Sequence, residues 1–276
     1  MRSVKLHLGK VLRYVFIAFV ALVTLFPFYW MFVTAVKPVG EIFAYPPSFL
    51  PSTVHFENFG EMFKETNFGI LFKNSFIITL FSTAITVFIN LLAGYAFAKY
   101  AFKGKELFFM IVLSTLMLPI QVTMIPNYLI VSKLGMLNSY WGAILPPCAE
   151  AFGLFLSRQF MSELPNELIE AARIDGSTEF QIFRKIILPN SRSLMSVLII
   201  FTVMWRWNDF QWPLIVLSES RMHTVQIGLS MLNGTQYINW NMLMCASLIA
   251  VLPVLVVFLI FQKHFVLGIA ASGIKG

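Results

Sequence analysis

Six stretches of this chain are long and apolar enough to demand a lipid solvent, and they constrain every later inference about its fold. They cover residues 11–36, 70–98, 107–131, 141–156, 194–217 and 242–261. A bilayer core of roughly 30 Å takes about 20 apolar residues wound as helix, so such runs read as membrane spans. Composition agrees, because 276 residues that are 58% hydrophobic and 12% charged carry more apolar surface than one soluble domain encloses. The expectation is an all-α, polytopic membrane protein with six transmembrane helices, forming one membrane domain over residues 1–276. Arg2, Lys5, Lys10 and Arg13 before the first span resemble the start of a secretory signal. The apolar run behind them is too long and lacks a small-residue cleavage site, so it is expected to stay attached as an anchor.

Orientation follows from where the cations collect. Fourteen Lys and Arg fall at the N-terminus and in the segments 99–106, 158–193 and 262–276, against five in the alternate loops. Positive charge stays inside, so both termini and segment 158–193 are expected in the cytoplasm, with loop 37–69 outside. Topology accounts for the sequence pI of 9.5, and nucleic acid is not an expected partner. Cys148 and Cys245 both lie in apolar context and read as small buried hydrophobes rather than a disulfide pair.

Several spans carry irregularities. Loop 37–69 has Pro38, Pro46, Pro47 and Pro51 ahead of the mixed run 56–63, which predicts an extended lead and then a short amphipathic helix near the membrane surface. Its four glutamates either receive an outside partner or simply solvate a loop that closes over helix ends. In the second span Gly94 and Ala98 form a small-x-x-x-small pair that admits a close helix neighbour. The third span holds Pro119 and Pro126 beside Gln121, Thr123 and Asn127. Prolines free carbonyls that lipid cannot satisfy, so these residues mark either a translocation path or a kink capped by Thr123. The fifth span is interrupted by Trp205-Arg206-Trp207-Asn208-Asp209. Ionisable groups in a span are functional candidates, although Arg206 and Asp209, three residues apart, are placed to pair with one another.

The polar segment 158–193 has the most specific pattern. Pro165 suits a helix start, and Glu167, Glu170 and Arg173 follow in the order that complements the helix dipole. A helix over about 165–175 is expected, with Leu164, Leu168, Ala171, Ala172 and Asp175 along one face at helical spacing. The two alanines present no bulk, which lets that face enter a narrow cleft. Gly176 fits a left-handed closing residue, Thr178 with Gln181 a capping box, and Phe183 the apolar side of a second helix that Pro189 ends.

The run Glu170-Ala171-Ala172, two residues, Asp175-Gly176, nine residues, then Ile186-Ile187-Leu188-Pro189 resembles the cytoplasmic loop of the membrane-spanning subunits of bacterial ATP-binding-cassette importers. Residues 118–126, 134–138 and 145–146 are similar to the carbohydrate branch of that family, in its maltose-permease-like form. The resemblance implies a bacterial cell-membrane permease whose hairpin docks on a separate ATPase, with Glu170, Gly176, Phe183 and Pro189 in the docking unit. It implies a second permease subunit, two ATPase subunits and an extracytoplasmic solute-binding protein as partners. It also implies a sugar or oligosaccharide substrate, with glycerol phosphate as the alternative. This chain would carry no cofactor, ATP and magnesium being bound by the partner subunits. Trp207, Asn208, Asp209 and Phe210 resemble a family W-N-acidic-F pattern, in which Trp205, Trp207 and Asn208 would line a sugar site, aromatic rings stacking on pyranose faces while Asn208 or Asp209 bonds hydroxyls. No metal cluster, nucleophile motif or phosphate-binding loop is present in the sequence, which argues against an enzyme. A secondary transporter is the competing class; such proteins usually show internal repeats, and none is evident here.

Overall fold

The computed structural model describes residues 2–234 and 238–273, and every regular element among them is helical. In chain order these are α1 (Arg2–Val36), α2 (Glu57–Thr66), α3 (Phe68–Lys99), α4 (Lys105–Ser114), α5 (Ile120–Lys133), α6 (Tyr140–Ile144) and α7 (Ala151–Ser162). They are followed by α8 (Asn166–Ile174), α9 (Glu179–Ile182), α10 (Leu188–Asn190), α11 (Arg192–Trp207), α12 (Gln211–Val216), α13 (Val225–Asn233) and α14 (Trp240–Gly273). The tail at 262–276 continues α14 as far as Gly273, and its last three residues lie outside the described residues.

Among the described residues, three unbroken helices are long and apolar enough to cross a membrane, over Lys10–Val36, Phe68–Lys99 and Trp240–Lys263. Two further candidates are bent pairs: Lys105–Met117 meets Ile120–Lys133 at 107°, and Glu179–Asn190 meets Arg192–Trp207 at 79°. The count is therefore three, or five with each bent pair taken as one span, where the sequence pattern leads to six. The difference lies at 141–156, which is not one helix. It divides into α6, a tight turn over Pro146–Cys148, and α7. Two successive prolines supply no backbone donors, and Ala149 and Glu150 beyond them are extended. The run 194–217 divides likewise, α11 stopping at Trp207 and α12 starting at Gln211.

Proline position explains the other bends. Leu118 takes ψ 122°, as expected of a residue preceding proline, and Pro119 then starts α5. Pro126 stays inside α5 without ending it. Pro189 does not terminate its helix either. The winding widens to a π turn over Phe183–Ile187, passes Pro189, and breaks only at Ser191. A proline at 189 offers no N–H to the preceding turn, and the Asn190 side-chain amide donates to the Ile186 carbonyl at 2.7 Å.

The chain divides into two compact units. The first comprises residues 1–69 and 228–252. In it the Asn241 amide donates to the carbonyls of Thr34 (2.9 Å) and Lys37 (2.8 Å), tying the start of α14 to the end of α1. The buried Lys37 ammonium donates to the Ser48 carbonyl at 2.5 Å and lies 4.8 Å from the centre of the Trp30 ring. The expected amphipathic helix of the 37–69 loop is α2, closed by Asn67 in the left-handed conformation.

The second unit comprises residues 70–227 and 253–276 and has two apolar cores. One joins Val87, Leu91 and Tyr95 of α3 to Met161, Leu194 and Leu198 and to the hairpin of α8 and α9. The other gathers Ile78, Val131, Ile144, Cys148 and Trp212. A side chain at Gly94 would run into Ser157 of α7, and one at Gly153 into Asn90 of α3. These two glycines are what allow α3 and α7 to cross so closely. Cys148 and Cys245 are free and buried.

Candidate functional site

The segment 164–190 folds as a helical hairpin whose turns are specified residue by residue. Pro165 precedes the first turn of α8, with Glu167 near its N-terminus and Arg173 near its C-terminus, each on the side the helix dipole favours. Gly176 takes φ +76°, a conformation that costs a residue with a Cβ roughly 1–2 kcal/mol. Its N–H donates to the Arg173 carbonyl (3.1 Å) while that of Ser177 reaches the Ala172 carbonyl (2.9 Å), closing the helix in a Schellman arrangement. Thr178 and Gln181 then cap α9 reciprocally, at 2.8 and 3.3 Å.

The hairpin has two faces, and the predicted site residues divide between them. Ile169, Ala172, Ile182, Phe183 and Ile187 are buried in the core shared with α3, α7 and α11, and Leu164 packs partly against it. Leu168, Glu170, Ala171, Asp175, Gly176 and Pro189 are exposed. Ala172, expected on the same face as Leu168 and Ala171, thus lies on the packed side, as does Phe183 on the apolar side of the second helix. Ala172 follows Ile169 by three residues and shares its inward direction, so its small side chain serves close packing inside the hairpin. Two outward apolar residues complete the opposite face, Ile174 at 87% exposure and Phe180 at 65%, beside Leu168 at 47%. Sequence reasoning passed over Ile174 as a site residue, although it is out of phase with Ile169 and Ala172 and so must point away from them.

The hairpin is also fastened to the end of α3 by polar contacts. Lys99 donates to the Leu164 carbonyl (2.5 Å) and to Asn166 Oδ1 (2.8 Å). The hydroxyls of Tyr95 (3.2 Å) and Tyr100 both donate to Glu179 Oε2, while Arg173 Nε donates to Glu179 Oε1 at 2.7 Å. Arg173 and then Tyr100 hold the Glu179 carboxyl below its ordinary pKa, and the same carboxylate raises the pKa of Arg173. Partial burial, followed by the Glu179 contact, raises that of Tyr100.

The second group of predicted residues lies at the breaks in the bent helices. Pro119 and Gln121 are exposed at the 107° corner, with Thr123 and Asn127 half-exposed one and two turns on. Thr123 Oγ1 donates to the Ile120 carbonyl at 3.0 Å, capping the local turn. Around the end of α11, Trp205 is 39% exposed and packs on Phe152 and Phe201, and Asn208 is exposed. Trp207 is only 2% exposed and stands edge-on to Phe72 at 5.3 Å, which makes it a core residue rather than a lining one. Arg206 does not pair with Asp209. It forms an ion pair with Glu150 and donates to the Pro147 carbonyl, while Asp209 accepts the Trp212 backbone N–H at 3.3 Å at the start of α12. The proline turn at 146–148 carries Glu150 to Arg206, a contact that no local spacing reveals.

Among the described residues, helices long and apolar enough to cross a membrane, a capped hairpin packed on α3, α7 and α11, and polar groups at broken helices make up the architecture of a membrane component. The chain matches the family described as binding-protein-dependent transport system inner membrane component over residues 87–270, and it belongs to that family. It is therefore a multi-pass inner-membrane protein, the permease subunit of an ATP-binding-cassette importer. It is 36% identical over 266 residues to the arabinooligosaccharides transport system permease protein AraQ of Bacillus subtilis, covering 95% of this chain and 94% of that one. It is 35% identical to the sn-glycerol-3-phosphate transport system permease protein UgpE of Pectobacterium atrosepticum, covering 91% and 92%. Its fold is shared with a chain in the crystal structure of a bacterial transporter involved in the import of the acidic polysaccharide alginate, with a TM-score of 0.84, 21% identity and coverage of 94% and 97%.

Proposed function

We propose that this chain is one of two permease subunits of a sugar or oligosaccharide importer, and that a separate ATPase drives it by gripping the outward face of the 164–190 hairpin. The observation that carries this reading is the two-sided hairpin. Leu168, Ala171, Ile174 and Phe180 face outward, uncovered by any of the described residues, while the opposite side is packed on α3, α7 and α11 and hydrogen-bonded to the end of α3. A surface built this way passes a push from a partner into the membrane helices. In this reading ATP and magnesium are held by two ATPase subunits. Both termini and the hairpin face the cytoplasm, the segments that cross the bilayer number six, and a solute-binding protein delivers substrate to the opposite side.

The relatives support a carbohydrate substrate through arabino-oligosaccharide permeases, with glycerol phosphate as the second reading. Trp205 offers an exposed indole for a pyranose face, and Asn208, Gln121, Thr123 and Asn127 supply hydroxyl partners along the broken helices. The chain, co-expressed with its neighbouring transporter subunits, should purify with an ATPase and hydrolyse ATP faster when the binding protein is added. Purification without any ATPase would overturn the proposal. A thermal-shift screen of that binding protein against arabino-oligosaccharides and sn-glycerol 3-phosphate decides between the two solute classes.

A further inference from the structure

A carboxylate shared by three helical elements carries a further inference, which rests on the docking reading above. Glu179 opens α9 and accepts from Tyr95 within α3, from Tyr100 just beyond its end, and from Arg173 at the end of α8. The surrounding apolar core holds α3 against the hairpin, but apolar contact is non-directional and permits sliding. Hydrogen bonds to an ionised group are directional and roughly twice as strong as neutral ones. The tyrosines are also braced: their rings meet edge-on at 5.4 Å, and Tyr95 lies 5.7 Å from Phe183 of the hairpin. Arg173 fixes the carboxylate relative to the exposed face of α8, and the tyrosines fix it relative to the membrane helix.

We propose that Glu179 is the positioning residue that hands movement of the hairpin to α3, with Tyr95 and Tyr100 as its receivers. It touches neither nucleotide nor solute. Its action is to keep a rotation of the docked hairpin from being lost as slippage at the cytoplasmic end of α3.

The test uses the assembled transporter with its ATPases and binding protein, carrying a nitroxide spin label at Phe88→Cys. That position is 54% exposed on α3, and the two native cysteines are buried. Without further change, ATP plus vanadate should alter the label's spectrum. Tyr95→Phe/Tyr100→Phe keeps both rings, the Arg173–Glu179 pair and the Lys99 contacts to Leu164 and Asn166, but removes the link from Glu179 to α3. In this variant ATPase capture and ATP hydrolysis should persist, while the spectral response falls about tenfold, within the range of coupling between distant sites. Tyr100→Phe alone gives the same test in a milder form if the double variant folds poorly. A full response in the tyrosine variants, or loss of ATPase capture in them, would overturn the proposal. Absence of any captured ATPase in the unmodified protein would instead refute the docking reading.

Discussion

Ile174→Ser separates docking from folding. Ile174 is 87% exposed, so serine there removes almost nothing from the isolated chain, where surface substitutions stay within about 0.5 kcal/mol. If an ATPase covers the Leu168, Ala171 and Ile174 face, the isoleucine side chain goes from water to a protein interior, which is worth about 1.5–3 kcal/mol. Serine forfeits most of that, so affinity should weaken roughly ten- to hundredfold at about 1.4 kcal/mol per decade. The assay is titration of purified ATPase onto the permease pair in lipid nanodiscs, with thermal melting of the permease as the control. Ala172→Leu makes the contrast, because Ala172 is buried within the hairpin and its enlargement should lower the melting temperature before it affects capture. Unchanged ATPase affinity in Ile174→Ser, with normal melting, would refute the assignment of this face to the ATPase.

Four further outcomes are expected. Gly176→Val should cost about 1–2 kcal/mol through its left-handed backbone, seen as faster amide exchange in α8 and α9, whereas Gly176→Asn should cost less. Gly94→Leu drives a side chain into Ser157 and should destabilise by about 1–3 kcal/mol in detergent melting. Arg206→Met leaves the part-buried Glu150 unpaired and should cost about 1–3 kcal/mol, with Arg206→Met/Glu150→Leu recovering much of the loss in the same melts. The Glu179 carboxyl is held below its ordinary value of 4.5, so its contribution is complete above that pH and disappears as pH falls through the depressed value. Amide exchange at the junction of α8 and α9 should therefore quicken below pH 4.5 and show no such step in Glu179→Gln.

Local signals were legible in the sequence wherever a residue type has one mechanical use. The left-handed glycine at 176, the reciprocal capping by Thr178 and Gln181, and the corner at Pro119 all follow from backbone chemistry within a few residues. The same holds for the close approach at Gly94, although its partner Ser157 lies far along the chain. Assigning faces within the hairpin was harder. Ala171 and Ala172 are chemically identical, and only the direction set by Ile169 distinguishes the outward one from the inward one.

Long-range electrostatics were illegible for a physical reason. Arg206 and Asp209 satisfy the spacing rule for a helical pair, and a continuous helix would have joined them. The helix ends at Trp207, however, which frees Asp209 to cap α12 and turns Arg206 toward a residue 56 positions earlier. That residue is within reach only because Pro146 and Pro147 break the apolar run at 141–156. One proline pair thus both interrupts the apolar run at 141–156 and sets the partner of a part-buried charge. In a membrane chain, irregular backbone has to be paired before charges can be, since lipid satisfies neither. The residues around the breaks, Glu150, Arg206 and Asp209, are consequently engaged in holding the irregular backbone and its charges, whereas Trp205 and Asn208 beside them keep exposed surface.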